Sequence, residues 1–164
     1  MHPERPADDH GVAGRDGLHA LTHHLDHARA TEAINADQRV NRVIGHVGHN
    51  IPLSRQSVIK SAISPGRMDR LRRADAIVRQ LSHDSGFDKQ VWQFPVVLIP
   101  LGGDGLPDSV VLRPIDSVDG MTAQSVPMPE KLLQRMCDAL LAVPGIAAVY
   151  YDLTHKPPGT IEWE

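Results

Sequence analysis

Apolar residues recur every three or four positions in three segments of the chain, a spacing typical of amphipathic helices. The first segment follows Asp16, a suitable N-cap, and predicts a helix over about residues 16–36. The second predicts a helix over residues 67–85. The third begins at Pro129, which we place at the first helical position, and ends near residue 143.

Four further segments have the β-branched or continuously apolar character of strands. They are residues 40–47, 92–101, 109–115 and 147–153. Segment 92–101 is too continuously apolar to alternate, so we expect it to be covered on both faces or central in its sheet. Pro95 predicts a bulge near its start, and Pro100 predicts its end. The Gly-rich turn at residues 102–105 then joins it to segment 109–115 as a hairpin.

This order of elements predicts an α+β domain, with a mixed or antiparallel sheet of about four strands and helices mainly on one face. Residues 1–15 contain too little apolar matter to fold and predict a disordered leader, which leaves residues 16–164 as one domain. Such a sheet has an edge strand near a chain end and one face without helices. Both features favour contact with a second copy, and we expect a homodimer.

Composition excludes several classes of function. The net charge of −3 indicates neither a nucleic-acid binder nor a protein attracted to acidic membranes. The longest apolar run, Phe94–Leu101, is far shorter than the ~20 residues that cross a bilayer. Cys137 is the one cysteine, which excludes an internal disulfide, and the first residues have no apolar signal region. We therefore expect a cytoplasmic protein in which Cys137 fills space in the core.

Histidines are unusually frequent in the first predicted helix and just after it. They are His19, His23, His24, His27, His46 and His49. Imidazoles four residues apart on one helical face can converge on a zinc or copper ion. However, neither a cysteine nor a suitably spaced carboxylate completes a tetrahedral site, so a polar helix face is the favoured interpretation and we predict no metal site.

Two sets of charged residues have a structural interpretation that we favour over a catalytic one. The arginines of the second helix could hold phosphate, but two aspartates lie four residues before an arginine and predict a solvated, self-paired face. These pairs are Asp69 with Arg73 and Asp75 with Arg79. Asp116 and Asp119 could act as general acid and base, but their loop composition favours Asx-turn hydrogen bonds.

The last residues differ from an ordinary polar chain end. Pro157-Pro158 stiffens the backbone, and Trp163 supplies one of only two tryptophans. Lys156 before the prolines and the carboxylates of Glu162 and Glu164 after them could position charges on a polar ligand. The alternative is an edge strand anchored by a buried tryptophan.

These motifs carry a family resemblance. The segment Asp-Leu-Thr-His-Lys-Pro-Pro-Gly-Thr-Ile-Glu-Trp-Glu at 152–164 resembles the ending of GMP synthetases, the enzymes that aminate xanthosine monophosphate (XMP) to GMP. Residues 112–123 resemble the arginine strand and S-x-D-G-M-T-A loop of that family, and residues 88–101 resemble its glutamine-bearing strand. With weaker matches at 40–48 and 72–75, the likeness covers about residues 38–164 and is clearest over 68–164.

The resemblance implies the fold and role of the family's C-terminal domain, which mediates dimerisation and contributes to the XMP site. Gln93 lies at the position of a glutamine that contacts XMP, and Lys156, Ile161 and Glu162 lie in the tail that closes on the nucleotide. An ammonium suits a phosphate, a carboxylate suits ribose hydroxyls, and an amide both donates and accepts. Arg113 also lies in a family motif, and we interpret it as structural.

Other family motifs are not found in these 164 residues: the ATP-binding Ser-Gly-Gly-x-Asp-Ser loop, the glutamine amidotransferase domain, and a strand supplying another arginine to XMP. We therefore expect no GMP synthesis by this chain alone and no cofactor bound by it, with ATP and Mg²⁺ entering only through an ATP-pyrophosphatase partner subunit. The alternative is a non-catalytic regulatory or scaffolding protein that keeps the dimer surface but has lost nucleotide binding.

Overall fold

The computed structural model describes residues 18–22 and 40–163, together with four helical positions, Ala28, Ala30, Glu32 and Ala36. Its elements are β1 (Leu18–Thr22), β2 (Arg42–His49), β3 (Ser57–Val58), α1 (Pro65–Ser85), β4 (Val96–Ile99), β5 (Leu101–Gly102), β6 (Asp108–Leu112), β7 (Ile115–Asp116), β8 (Gln124–Ser125), α2 (Glu130–Leu141) and β9 (Ile146–Asp152). Short 3-10 turns lie at Leu53–Arg55 and Phe87–Lys89.

Five strands form one mixed sheet in the order β1-β2-β9-β6-β4. β2 is antiparallel to β9, β9 is parallel to β6, and β6 is antiparallel to β4 in the expected hairpin. β1 adds to the outside of β2 in parallel. The predicted α+β class with a mixed sheet is therefore confirmed, with five strands where about four were expected.

The strand at residues 96–99 lies at the edge of this sheet, where the sequence pattern predicted a central or doubly covered strand. Val96, Val97 and Leu98 are only half-buried. The prolines on either side explain the outcome, because a proline cannot donate a backbone hydrogen bond and is tolerated at sheet edges. The central strand is β9, in which every residue is buried.

The first predicted helix is wrong over residues 18–22, which form β1. The apolar spacing favours a helix here, but the backbone of Leu18–Thr22 pairs instead with β2. The helical state of residues 28, 30, 32 and 36 agrees with the later part of the prediction. The predicted leader 1–15 and the histidines His23, His24 and His27 lie outside the described residues, and His19 belongs to β1.

Helices α1 and α2 pack on one face of the sheet, as expected. Alternation along β9 divides the apolar residues between the two faces: Tyr151 joins the larger cluster with the helices, and Tyr150 joins a smaller cluster on the opposite face. Burial raises the pKa of both tyrosine hydroxyls. Leu53 and the half-buried Trp163 pack in the smaller cluster, so segments outside α1 and α2 contribute to the cover of that face.

The ends of the helices follow local sequence signals. Helix α1 ends at Gly86, whose φ of 73° lies in the left-handed region that glycine adopts without strain. Pro129 is the N-cap of α2 rather than its first helical residue, so the helix begins one residue later than predicted, at Glu130. Cys137 is buried in the middle of α2, which confirms that it is a core residue, and burial raises the pKa of its thiol to about 12. In the parts of the chain that the structure describes, no helix is long and apolar enough to span a membrane.

Two arginines of α1 turn toward the sheet and share one buried carboxylate. Arg67 Nε lies 3.0 Å from Asp108 Oδ1, and Arg70 Nη1 contacts Asp108 Oδ2. Asp108 begins β6, and its side chain is 1% exposed, whereas each arginine side chain is 20% exposed. We call Arg67, Arg70 and Asp108 the helix cluster. The prediction of a wholly solvated arginine face is wrong for these two residues, because the start of β6 places an anion beneath them.

The remaining charges of α1 pair along the helix surface. Asp75 accepts a hydrogen bond from Arg79 Nε at 2.6 Å, which confirms one predicted pair and raises the pKa of Arg79. Asp69 pairs with Arg72 at 2.8 Å rather than with the predicted Arg73. These exposed pairs are the self-paired face that the sequence indicated.

Candidate functional site

Four chain segments meet at one end of the central sheet. β6 and β9 are parallel, so their carboxyl ends lie together, and the antiparallel strands β2 and β4 begin at that same end. Gln93 precedes β4, Arg42 begins β2, Arg113 follows β6, and residues 153–163, which we call the tail, follow β9. The carboxyl ends of parallel strands are a common location for ligand sites, so this end is the candidate site.

A buried ionic cluster lies at the base of this end. Asp152 Oδ2 accepts hydrogen bonds from Arg113 Nη1 at 2.6 Å and from Arg42 Nη1 at 2.9 Å. The side chains of Asp152 and Arg113 are 0% exposed, and that of Arg42 is 3% exposed. We call these three residues the tail cluster. Water is excluded from it, so its charges are compensated by protein groups.

Much of that compensation comes from the backbone of the tail. Arg113 Nε donates to the Ile161 carbonyl at 3.0 Å, and Arg113 Nη1 donates to the Thr154 carbonyl at 3.2 Å. Both guanidiniums also donate to the Thr160 carbonyl. The tail is therefore held across the sheet end without forming a strand of its own.

Trp163 marks the far end of the tail. The Arg42 guanidinium lies 4.6 Å from the centre of the indole ring, a cation–π contact, and Arg42 Nη2 also donates to the Glu162 carbonyl. The alternative prediction, an edge strand anchored by a buried tryptophan, is wrong as to the strand, because residues 157–163 are irregular. Trp163 is half-buried and packs against the smaller cluster.

Lys156 packs against a loop formed by residues 116–123. Its backbone exchanges two hydrogen bonds with Ala123, at 2.8 and 3.1 Å, and its Nζ donates to the Gly120 carbonyl at 2.6 Å. The loop itself is closed by Asp119 Oδ1, which accepts a hydrogen bond from the Met121 N–H at 2.9 Å. The predicted Asx turn is confirmed for Asp119, whereas Asp116 Oδ1 accepts a hydrogen bond from the N–H of the next residue, Ser117, at 3.0 Å. Only one of the three N–H groups of the Lys156 ammonium is used in the Gly120 contact.

Gln93 is exposed and is joined to Lys156 through short backbone ladders. Its backbone pairs with Ile115 of β7, β7 pairs with β8, and Ala123 beside β8 pairs with Lys156. Gln93 and Lys156 therefore lie on separate segments of these ladders. A ligand with two separated polar groups could contact both side chains.

Gln93 also lines a cleft of about 760 Å³ between α1 and the segment before β4. Polar residues contribute much of its wall; they include Asp75, Arg79, Ser82, His83 and Asp88. Lys156, Ile161 and Glu162 do not line it. The structure therefore places Lys156, Ile161 and Glu162 at the candidate-site end of the sheet and away from the cleft. Gln93 lies at that same end and also lines the cleft.

The two tail residues differ in accessibility. Ile161 is half-buried, and Glu162 is exposed. Arg113 and Arg42 bind their carbonyl oxygens rather than their side chains. Both side chains are thus left to contact a ligand or a neighbouring domain.

Sequence reasoning missed Arg42 and Asp152 and placed Arg113 in a structural role, which the tail cluster agrees with. A charged residue at the boundary of a buried strand was the available signal: Arg42 begins β2 and Asp152 ends β9. Their pairing could not be anticipated because 110 positions separate them.

The described residues contain no group of three or more His, Cys, Asp or Glu side chains that could hold a metal ion. The rings of His46 and His49 stack with their centres 4.8 Å apart, and His46 also packs against Tyr150, 5.2 Å away. These two histidines therefore contribute to the face of the sheet opposite the helices.

These features define a class of protein: an α+β domain in which one end of the sheet fixes the tail through buried arginines. Residues 80–163 match the family model described as the GMP synthase C terminal domain. The match covers just over half of the chain, which therefore belongs to the GMP synthase C-terminal domain family.

Similar proteins carry the same name. The chain is 44% identical over 110 residues to a GMP synthase (glutamine-hydrolyzing) of Nitratidesulfovibrio vulgaris strain DP4, covering 62% of this chain and 21% of the relative. It is 42% identical over 117 residues to that of Mycobacterium marinum, covering 65% and 22%. A probable GMP synthase of Leptospira interrogans is 44% identical over 96 residues, covering 58% and 16%. The chain thus spans about a fifth of the length of these curated relatives.

Proposed function

We propose that this domain contributes to XMP binding in GMP synthesis, with Gln93, Lys156, Ile161 and Glu162 contacting XMP or a related purine nucleotide. The observation that carries the proposal is the fixed position of the tail. Lys156 is held by the loop, and the tail cluster holds the backbone of Ile161 and Glu162. Family membership supports a purine nucleotide as the ligand, and the fixed position of these residues supports the proposed contacts.

The separation of the polar groups fits a nucleotide. The Lys156 ammonium suits the phosphate, the exposed Glu162 carboxylate suits ribose hydroxyls, and the Gln93 amide suits the edge of a base. Gln93 and Lys156 lie on separate segments of the short ladders, so a ligand with polar groups at both ends could reach both. A nucleoside monophosphate has such groups in its phosphate, its ribose hydroxyls and the edge of its base.

We also propose that the domain acts as a homodimer and with an ATP-pyrophosphatase partner that supplies ATP and Mg²⁺. Three exposed apolar side chains beside Lys156 support a protein contact there: Trp92 is 46% exposed, Met121 75% and Val118 fully exposed at 102%. Trp92 lies against the loop, since a Cβ placed on Gly120 would be 3.8 Å from its ring. Clustered exposed apolar residues mark interaction surfaces.

Isothermal titration of XMP into the purified protein tests nucleotide binding. We expect saturable binding that weakens at least about tenfold in Lys156→Ala, a loss of ~1.4 kcal/mol. Lys131→Ala, which removes an exposed lysine from α2, is the matched control and should bind as the wild type does. Light scattering on the same samples tests the dimer.

The absence of heat up to millimolar XMP, from a clean dimer, would contradict binding by the domain alone. Repeating the titration with a purified ATP-pyrophosphatase domain then separates two possibilities. Binding that appears only in the mixture indicates a site completed by the partner. Continued absence of binding favours the scaffolding alternative.

A further inference from the structure

We propose that Arg42 is a positioning residue for nucleotide binding, acting with Arg113 and Asp152 to hold the tail where Ile161 and Glu162 can reach the ligand. The inference rests on the proposed function, because it concerns how the ligand-contacting residues are placed. Its first support is that both guanidiniums contact the main chain of the tail and leave the side chains of Ile161 and Glu162 to other partners.

Arg42 joins the tail to the sheet in two directions. Its Nη1 donates to Asp152 at 2.9 Å, and its Nη2 donates to the Thr160 hydroxyl at 2.9 Å and to the Glu162 carbonyl. The planar fork of a guanidinium permits both directions at once, whereas the ammonium of a lysine is a single centre. The role is therefore specific to arginine.

Burial makes these contacts selective for one tail position. The Asp152 and Arg113 side chains are 0% exposed and Arg42 is 3% exposed, so a displaced carbonyl would not readily be replaced by water. The cation–π contact of Arg42 with Trp163 fixes the end of the tail as well.

The tail has little regular structure of its own to hold it in place. Residues 157–163 belong to no helix or strand. Among the residues that the structure describes, the tail makes one ladder contact, the bridge between Ala123 and Lys156. Without the arginine contacts, the ligand would have to order the tail on binding, and the ordering cost would lower affinity.

Fluorescence of Trp163 reports on the tail directly. In a Trp92→Phe background, Trp163 is the one remaining tryptophan. In that background we compare the Trp163 fluorescence of three proteins: the one that keeps Arg42, the Arg42→Lys variant and the Arg42→Ala variant. Arg42→Lys keeps the positive charge beside Asp152 and guards against loss of folding in Arg42→Ala. Arg70→Lys, in the helix cluster, is the matched control, and urea denaturation shows that each variant is folded.

We expect both Arg42 variants to show red-shifted Trp163 emission, stronger quenching by acrylamide, and XMP affinity reduced about tenfold when measured with Trp92 intact. Arg70→Lys should leave emission, quenching and affinity unchanged. Saturating XMP should partly restore the emission of Arg42→Lys, because the ligand then orders the tail.

Two results would overturn the inference separately from the proposed function. Unchanged Trp163 emission and quenching in both folded variants would show that Arg42 does not hold the tail. A released tail with unchanged XMP affinity would show that its position does not matter for binding. If the wild type binds no XMP either alone or with the ATP-pyrophosphatase domain, the proposed function fails and the ligand role of Arg42 fails with it. Trp163 fluorescence still shows whether Arg42 holds the tail.

Discussion

The two ends of the sheet use the same ionic arrangement for different purposes. At each end one buried aspartate receives two arginines: Asp152 in the tail cluster and Asp108 in the helix cluster. In the tail cluster the arginine side chains are 3% and 0% exposed, whereas both arginines of the helix cluster are 20% exposed. The three charges of the tail cluster are therefore inaccessible to water, whereas the arginines of the helix cluster are partly hydrated.

The partners differ as well. The tail cluster binds carbonyls of a segment without regular structure, and the helix cluster joins two regular elements, α1 and β6. Removing a contact at the helix end leaves elements that are still held by the hydrophobic core. Removing one at the tail end frees the segment that carries the proposed ligand contacts.

The strongest test of this difference is Asp152→Asn. The substitution removes the anion that both tail-cluster arginines share and leaves two cations in a site without water. We expect the free energy of unfolding to fall by ~3–5 kcal/mol, measured by urea denaturation. A loss below about 1 kcal/mol would mean that this end is hydrated in solution.

The corresponding change at the other end, Asp108→Asn, should cost less. Arg67 and Arg70 are each 20% exposed and can turn to solvent when the carboxylate charge is lost. We expect a loss of ~1.5–3 kcal/mol in urea denaturation, with XMP affinity of the folded protein unchanged. Reduced affinity would show that the two ends are coupled.

Gly145→Ala tests how tightly the helix cluster is packed. Gly145 has a φ of 91°, and a Cβ there would lie 2.4 Å from Arg70 Nη2. Backbone strain and displacement of the guanidinium should together cost ~1–3 kcal/mol in thermal or urea unfolding. Combining the substitution with Arg70→Ala should recover the part due to the collision, and full additivity would contradict the contact.

The smallest effect is expected at an ion pair outside both clusters. Asp75 and Arg79 pair four residues apart on the exposed surface of α1. Asp75→Asn should lower the free energy of unfolding by only ~0.3–0.5 kcal/mol, and added salt should reduce the difference further. A loss comparable to that in Asp108→Asn would show that burial does not distinguish these ion pairs.

Local patterns predicted the elements whose stability is decided locally. Helices α1 and α2, the turn at Gly86 and the hairpin of β4 with β6 follow from spacing, capping and turn residues within one segment. The tail motif likewise indicated Lys156, Ile161 and Glu162, and their proposed ligand contacts remain predictions.

Features that depend on distant partners could not be predicted. Whether residues 18–22 form a strand depends on an open edge of β2, and the position of β4 depends on the order of the whole sheet. The inward turn of Arg67 and Arg70 depends on Asp108, about 40 positions later. In each case the deciding group lies far away in the sequence.

The central position of β9 has a consequence for folding kinetics. β9 follows the other described strands in the chain, yet it separates β2 from β6 and pairs with both. Until it inserts, the facing edges of β2 and β6 are unsatisfied and able to pair with other chains. Arg42 and Asp152 meet across 110 positions in this step, and such non-local closure makes folding slow. During synthesis, the sheet therefore cannot be completed until residue 152 has left the ribosome.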